Sequence, residues 1–512
     1  MVTRKEFVSG FSWNTLTVVF QVVIQLAYTG ALARLIPQSS FGLMGIVLGL
    51  MGFAEIFSQV GIGPALIQRK EVHGQHITGA FYTALLLGVT FTLTFIGLSP
   101  LISDLYGMPA LREIIPVVCT SFTISALAVV PRSMMMKEMR FRRFFIASLI
   151  SIIGGNLVIG LTLAWLGYGV WAYVWALFGQ NTLMTIALWY FQPVAVQGKW
   201  QWKYTRELIG YGAGSTLFNA LNYLATKLDV MLVPYALKGN APELSEPKAI
   251  EASLYERANY IMTQPVTIMA KLSDSVLFSG MSKMQEEHKR LARTIRLAIA
   301  MLSTLLIPMV VFTVFYAGDV LQIWLGKEFL AATPILVVLF VAMYFRVVSK
   351  IGDSLLRAKG YLVWGSVVKA IYLAMIATGI AFAASHSMVA VAWTIVTATG
   401  IHCVMNLWLV HRIVKLGMRA VLRAVLPGLV LGVITALVCA VLYLVGQRID
   451  VPAVISLLIG MTAVGAILFI WVMFFPWVLS VGSENLLNLL PEKIYSIPPM
   501  RLLKRRLKGR TS

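Results

Sequence analysis

The sequence predicts an all-α polytopic membrane protein of about fourteen transmembrane helices. Three observations predict it. The 512 residues are 59% hydrophobic and 12% charged, where soluble domains run at roughly 45–50% apolar and about 25% charged. With a mean hydropathy of +0.82 the outer face must meet lipid rather than water. The charged residues collect in short gaps between long apolar stretches, each near the roughly 20 residues that a spanning helix needs. Lys and Arg also concentrate in every second gap, the signature of a chain threaded back and forth through a bilayer.

The elements follow from the apolar runs and the breakers between them. The first helix is expected over roughly 8–35, after Arg4 and Lys5 and before Pro37. Ala31-Leu32-Ala33 imitates a signal-peptide cleavage site, but Asn14, Gln21 and Gln25 interrupt the apolar run, so an uncleaved helix is expected. The next are expected at roughly 41–67, 77–102 after Gly74, and 111–136 after Pro109. Gly167-Tyr168-Gly169 separates 144–167 from 170–192, and Gly198 precedes 206–236. The remaining helices are expected at roughly 253–278, 292–317, 330–357, 361–384 after Gly360, 387–411, 421–446 and 452–478.

With a cytoplasmic N-terminus, the inside gaps hold twenty-nine Lys and Arg against seven outside. That asymmetry fixes the orientation and, because it recurs at the far end, an even number of crossings with both termini cytoplasmic. The net charge of +21 is therefore a topology signal, and no nucleic-acid partner is expected. Cys119, Cys403 and Cys439 lie far apart inside apolar stretches, so neither a disulfide framework nor a metal spacing is present. No metal and no cofactor are expected.

Faint internal repetition pairs Gly10-Phe11 with Gly210-Tyr211, and Gly179 and Met184 with Gly400 and Met405. It suggests two parallel six-helix halves. The expected organisation is an N-terminal lobe over 1–203 (helices 1–6) and a C-terminal lobe over 204–415 (helices 7–12), with a polar external insertion at 237–252. Two extra helices over 416–480 and a basic cytoplasmic tail over 481–512 complete it.

Charges inside the apolar stretches carry the functional signal, because an ionised group in hydrocarbon costs at least about 2.5–3.5 kcal/mol and persists beside water or a partner. Helix eight lines up Arg257, Tyr260, Gln264, Thr267, Lys271 and Asp274 on one face. Helix ten does the same with Arg346, Lys350, Asp353 and Arg357. Helix seven carries Asn219, Asn222, Tyr223, Thr226, Lys227 and Asp229, and helix one Asn14, Thr17, Gln21, Gln25 and Tyr28. Lys369 and Glu55 stand more alone. These stripes predict a hydrated cavity with cationic walls, suited to an anion. The structural alternative is ion pairing, as of Lys350 with Asp353 or Lys271 with Asp274, together with snorkelling near helix ends. Gly42, Gly45, Gly49 and Gly52 form a small-residue face on helix two, expected to pack closely against another helix. Glu55, on nearly the same side, is either a protonatable coupling site or the partner of a nearby cation. No GxxxxGK[ST] phosphate loop, DxD or GxSxG motif occurs, and the outside loops leave little room for a catalytic domain.

Several segments resemble bacterial polysaccharide flippases of the O-antigen and colanic-acid type, within the multidrug/oligosaccharidyl-lipid/polysaccharide exporter superfamily. They are Leu-Ala-Arg-Leu-Ile-Pro (32–37) followed by Phe41-Gly42-Leu43, and the run Val60-Gly61-Ile62-Gly63-Pro64-Ala65-Leu66-Ile67-Gln68-Arg69. Lys227-Leu228-Asp229, the run 276–285 (Val-Leu-Phe-Ser-Gly-Met-Ser-Lys-Met-Gln) and Trp324-Leu325-Gly326-Lys327-Glu328-Phe329 continue the likeness. Gly280, where the family commonly has Pro, and the 237–252 insertion depart from it. The resemblance implies two six-helix lobes in a V around a central cationic cavity, two further helices, and alternating access. It implies a non-enzymatic flippase in the bacterial inner membrane that moves an undecaprenyl-pyrophosphate-linked oligosaccharide from the inner to the outer leaflet. Its partners would be membrane lipids and, in surface-polysaccharide assembly, the polysaccharide polymerase and chain-length proteins.

Joined to the stripes, this assigns the pyrophosphate to Arg257, Lys271, Arg346 and Lys350, with Lys227 and Lys369 next. The sugar falls to Asn14, Gln21, Gln25, Asn219 and Gln264, and ion coupling to Glu55 and Asp229. The rivals are a peptidoglycan lipid-precursor flippase or a multidrug exporter of the same fold and, of another class, a membrane glycosyltransferase or a non-transporting scaffold. A drug exporter would favour acidic stripes for cationic cargo, and these stripes are mostly basic.

Overall fold

A computed structural model describes residue 17 and residues 20–59, 62–68, 72–196, 202–272, 281, 284, 286–449 and 451–474. Asn14, the basic tail and most of the 276–285 run lie outside the described residues. So do the side chains of Glu55, Asn219 and Lys271, although their backbones are helical.

The helices are α1 (Phe20–Leu32), α2 (Ser39–Gln59, with a short continuation Ile62–Gln68), α3 (Gly74–Tyr106) and α4 (Ala110–Lys137). Next come α5 (Phe141–Trp165), α6 (Val170–Phe191), α7 (Trp202–Lys238), α8 (Glu246–Leu272) and α9 (His288–Trp324). The rest are α10 (Lys327–Ala358, a 3-10 turn leading into an α-helix), α11 (Leu362–Ala383), α12 (Met388–Val414), α13 (Met418–Arg448) and α14 (Ala453–Phe474). Among the described residues nine helices are long and apolar enough to cross a membrane: α3, α4, α5 and α9 to α14. The chain is a multi-pass membrane protein. α7 and α8, outside that set, hold two of the polar stripes read from the sequence.

The expected external insertion is shorter than 237–252. Glu246 and Pro247 favour a helix start, a carboxylate against the N-terminal dipole and a ring pre-set for the first turn. Residues 246–252 therefore extend α8, leaving 239–245 as the connection. That connection lies against the α3–α4 turn, where the Leu244 amide donates to the Gly107 carbonyl at 2.9 Å. Lys238 Nζ donates to the Leu105 carbonyl at 3.2 Å and to that of Asp104. Gly107 has φ 63°, and a Cβ there would fall 2.8 Å from Glu243 Cα and Pro242 O, so only glycine fits both turn and neighbour.

The described residues form two compact units, within Met1–Arg257 plus Ile380–Ser385 and within Ala258–Gly379 plus His386–Ser512. In the first, α3 and α4 pack antiparallel, with Thr92 Oγ1 donating to Cys119 O at 2.8 Å and Ser99 meeting Arg112 O nearer the turn. The glycine face of α2 receives α7 and the start of α8. A Cβ on Gly45 would stand 2.7 Å from Glu256 Cγ and 2.9 Å from Val230 Cγ1, and Gly49 faces Met231. Tyr223 closes this seam by donating to Leu48 O at 3.0 Å. Part-way along its length α5 widens into a π-helical stretch, Ile153–Gly160. A Cβ on its Gly155 would press on the Gln180 backbone of α6 at 2.5–2.6 Å.

In the second unit α9 is the central post, packed by α10, α13 and α14. One end is sealed by Leu291, Ile295 and Ile299 of α9 with Ile351 and Leu355 of α10, Val410 and Val414 of α12, and Val421 and Ala424 of α13. Further along, Tyr316 meets Cys439 and Val464, with Phe312 stacked on Tyr316 at 4.7 Å. Leu422, Leu426, Val433 and Leu437 of α13 are exposed, as a lipid-facing stripe should be. All three cysteines are buried and unbridged.

Candidate functional site

Each unit carries a polar cluster built on the predicted stripes. In the second, Arg346, Lys350 and Asp353 lie at i, i+4 and i+7 of α10 and so share a face. Arg346 and Asp353 are buried, and Lys350 is half-buried. Lys369 of α11 donates to Asp353 Oδ2 at 2.6 Å, both side chains almost fully enclosed. Asn406 of α12 reaches the other carboxylate oxygen at 3.3 Å and lies 3.4 Å from His402 Nε2. The His402 ring packs on Tyr372 with centroids 4.6 Å apart. Gly352 makes this possible: a side chain there would press on Asn406 at 3.2 Å and hold α10 and α12 apart.

The electrostatics follow. Arg346, Lys350, Lys369 and Asp353 all act on His402. Lys369 and Lys350 both act on the Asp353 carboxylate, and Lys369 is the one hydrogen-bonded to it at 2.6 Å. Arg346 and Lys350, one turn apart on one helix, form a cationic face. In a medium of low dielectric such a surface attracts an anion far more strongly than it would in water.

In the first unit Arg257 of α8 is buried against the carboxylate of its neighbour Glu256, and its guanidinium lies over the Phe41 ring 4.3 Å from the centroid. Asp229 of α7 is buried and accepts from Tyr255 Oη at 3.1 Å and from the Val230 amide at 2.9 Å. Lys227 is half-buried on the same helix. On α1, Gln21 and Gln25 are half-buried, and Asn156 Nδ2 from the π-helical stretch of α5 donates to Gln25 Oε1 at 2.9 Å. Gln264 of α8, in the second unit, is half-buried with its amide on Tyr260 O at 3.2 Å. Sequence reading passed over Glu256, Tyr255, Asn156, His402 and Asn406. Gly154-Gly155-Asn156 inside an apolar run, and His402 with Asn406 one turn apart, were the available signals.

Known structures share this helical fold. The chain matches the lipid II flippase MurJ with a TM-score of 0.70, over 90% of this chain and 98% of that one, at 14% identity. It matches an inward-facing multidrug resistance MATE family transporter of the MOP superfamily with a TM-score of 0.63, over 77% and 95%, at 16% identity. At such identities the likeness establishes the fold. The family comes from the sequence: residues 31–334 match the polysaccharide biosynthesis protein family, and the chain belongs to it. Among curated relatives, the Escherichia coli (strain K12) lipopolysaccharide biosynthesis protein WzxC is 22% identical over 70% of this chain and 71% of its own. The Bacillus subtilis (strain 168) teichuronic acid biosynthesis protein TuaB is 23% identical over 81% and 84%. The Rhizobium meliloti (strain 1021) succinoglycan biosynthesis transport protein ExoT is 20% identical over 65% and 66%.

Proposed function

We propose that this protein flips a lipid-linked oligosaccharide, carried on undecaprenyl pyrophosphate, across the bacterial inner membrane by alternating access, for assembly of a surface polysaccharide. The observation that carries the reading is the cationic face of α10. Arg346 and Lys350 stand one turn apart on a helix of spanning length, and a pyrophosphate crossing oil needs a substitute for its hydration. Family membership and relatives named for lipopolysaccharide, teichuronic acid and succinoglycan synthesis support a saccharide cargo. A structural relative named for lipid II supports a lipid carrier.

In this reading Arg346 and Lys350 meet the pyrophosphate, and Lys227 and Lys271 are further cationic contacts along the route. Lys369 and Arg257 are held by Asp353 and Glu256 and set the shape of the two clusters. Gln21, Gln25, Asn219 and Gln264 hydrogen-bond sugar hydroxyls. Asp229 and Glu55 are proposed to couple an ion, with both termini on the cytoplasmic side.

The test is complementation. Deleting the gene should remove one surface glycan and raise its lipid-linked unit inside the cell, and the wild-type gene should reverse both. Lys350→Glu should insert normally and fail to complement. Full complementation by Lys350→Glu and by Arg346→Glu would remove the assignment.

A further inference from the structure

The cationic end of the second unit lies outside the transport cluster, and the function above does not use it. α9 and α13 run parallel and in step. A Cβ on Gly428 would meet Ser303, and one turn later in both helices a Cβ on Gly432 would meet Ile307. Met418, the first residue of α13, is therefore level with Arg293 of α9, five residues inside that helix's start at His288, and both helices begin on the same side of the unit. Each presents the positive end of its dipole there. The hydrophobic seal of Leu291, Ile295, Val414 and Val421 holds this end together and brings the α12–α13 turn alongside.

The side chains at this end are cationic and open to solvent: Arg293 and Arg296 on α9, Arg412 and Lys415 at the end of α12, Arg419 and Arg423 on α13. Arg290 is engaged with Glu287 at 3.5 Å and is set aside. Arg412 lies over the half-exposed Trp408 ring at 4.9 Å, and exposed tryptophans near the ends of spanning helices commonly sit at the head-group level. Arg419 and Arg423 head the exposed face of α13 that continues through Leu422, Leu426 and Val433. A groove of about 480 Å³ at the start of α9 is lined by Glu287, His288, Lys289, Arg290 and Arg293, a cationic majority with one carboxylate.

We propose that this end binds a resident anionic phospholipid, its phosphates among the arginines of α9 and α13 and its acyl chains along the apolar face of α13. Charge complementarity selects an anionic head group, and the continuous apolar stripe selects a lipid over a free phosphate. The leaflet is the cytoplasmic one in the proposed orientation, where anionic lipids hold basic residues most strongly. The site is separate from the residues assigned to the cargo, so lipid retention can succeed or fail independently of transport.

The experiment uses the full-length protein in a neutral detergent, given tetraoleoyl cardiolipin, dioleoylphosphatidylcholine or inorganic pyrophosphate. Native mass spectrometry reads retained lipid and tryptophan fluorescence reads melting. Wild type should retain cardiolipin over phosphatidylcholine, melt higher with it, and lose the preference at high salt. Arg419→Gln/Arg423→Gln and Arg293→Gln/Arg296→Gln should each lower retention, by about fivefold per arginine removed. Melting with phosphatidylcholine should stay unchanged, and Arg419→Lys/Arg423→Lys should restore retention. Equal retention of cardiolipin and phosphatidylcholine by wild type would overturn the proposal. So would undiminished retention in the glutamine variants, or equal stabilisation by pyrophosphate without lipid.

Discussion

The Asp353–Lys369 pair bridges α10 and α11 with both side chains almost fully enclosed, at 6% and 2% exposure. Removing one partner of such a pair costs about 3–5 kcal/mol, because the other charge is left buried and uncompensated, whereas replacing both with apolar groups of similar size is often neutral. The two halves should differ. Lys369→Met leaves the carboxylate with the Asn406 amide at 3.3 Å and Lys350 still acting on it, so its cost belongs at the lower end, about 3 kcal/mol. Asp353→Leu takes the carboxylate from both Lys369 and Lys350, and its cost belongs near about 5 kcal/mol. The double variant should lose much less than the sum, a coupling of several kcal/mol. Unfolding in mixed micelles, followed by tryptophan fluorescence at low and high salt, measures all four proteins. The coupling should survive high salt, since enclosed charges are weakly screened. Additive losses, or a coupling that disappears with salt, would refute a sealed pair.

Further predictions rest on single contacts. Gly45→Leu forces α2 away from Glu256 and Val230, and should cost about 1–3 kcal/mol in thermal unfolding and impair export. Gly107→Ala should destabilise by about 1–3 kcal/mol, since its backbone is left-handed and its Cβ would strike the α7–α8 connection; a circular-dichroism melt reads this. Asn156→Ala removes a hydrogen bond to Gln25 in lipid surroundings and should cost only about 0.6 kcal/mol by the same melt.

The helices were legible in the sequence because apolar length and Gly or Pro breaks are local signals. Gly167-Tyr168-Gly169 ends α5 where expected, and α10 covers Lys327–Ala358 against an expected 330–357. The glycine face of α2 was legible as a packing face, though its partners, α7 and α8, were not. Charge partners were the hardest to read. Spacing on one helix suggested Lys350 for Asp353, and Lys350 does act on it, but Lys369, which looks isolated in sequence, also reaches that carboxylate at 2.6 Å from the next helix. Arg257 likewise lies against Glu256, whose carboxylate sits outside the expected stripe. Helix period reports which residues share a face, while the neighbour that neutralises a charge is decided by how separate helices are placed.

The burial of every native sulfhydryl has a practical consequence. Cys119, Cys403 and Cys439 are all shielded, whereas Asn240, at the tip of the α7–α8 connection, is open to solvent. A cysteine substituted there becomes a unique reactive handle on an otherwise unaltered chain. Membrane-impermeant maleimides applied to intact cells and to inverted vesicles would then report from which compartment this tip can be reached, and the same position would carry a fluorophore for following the protein at work.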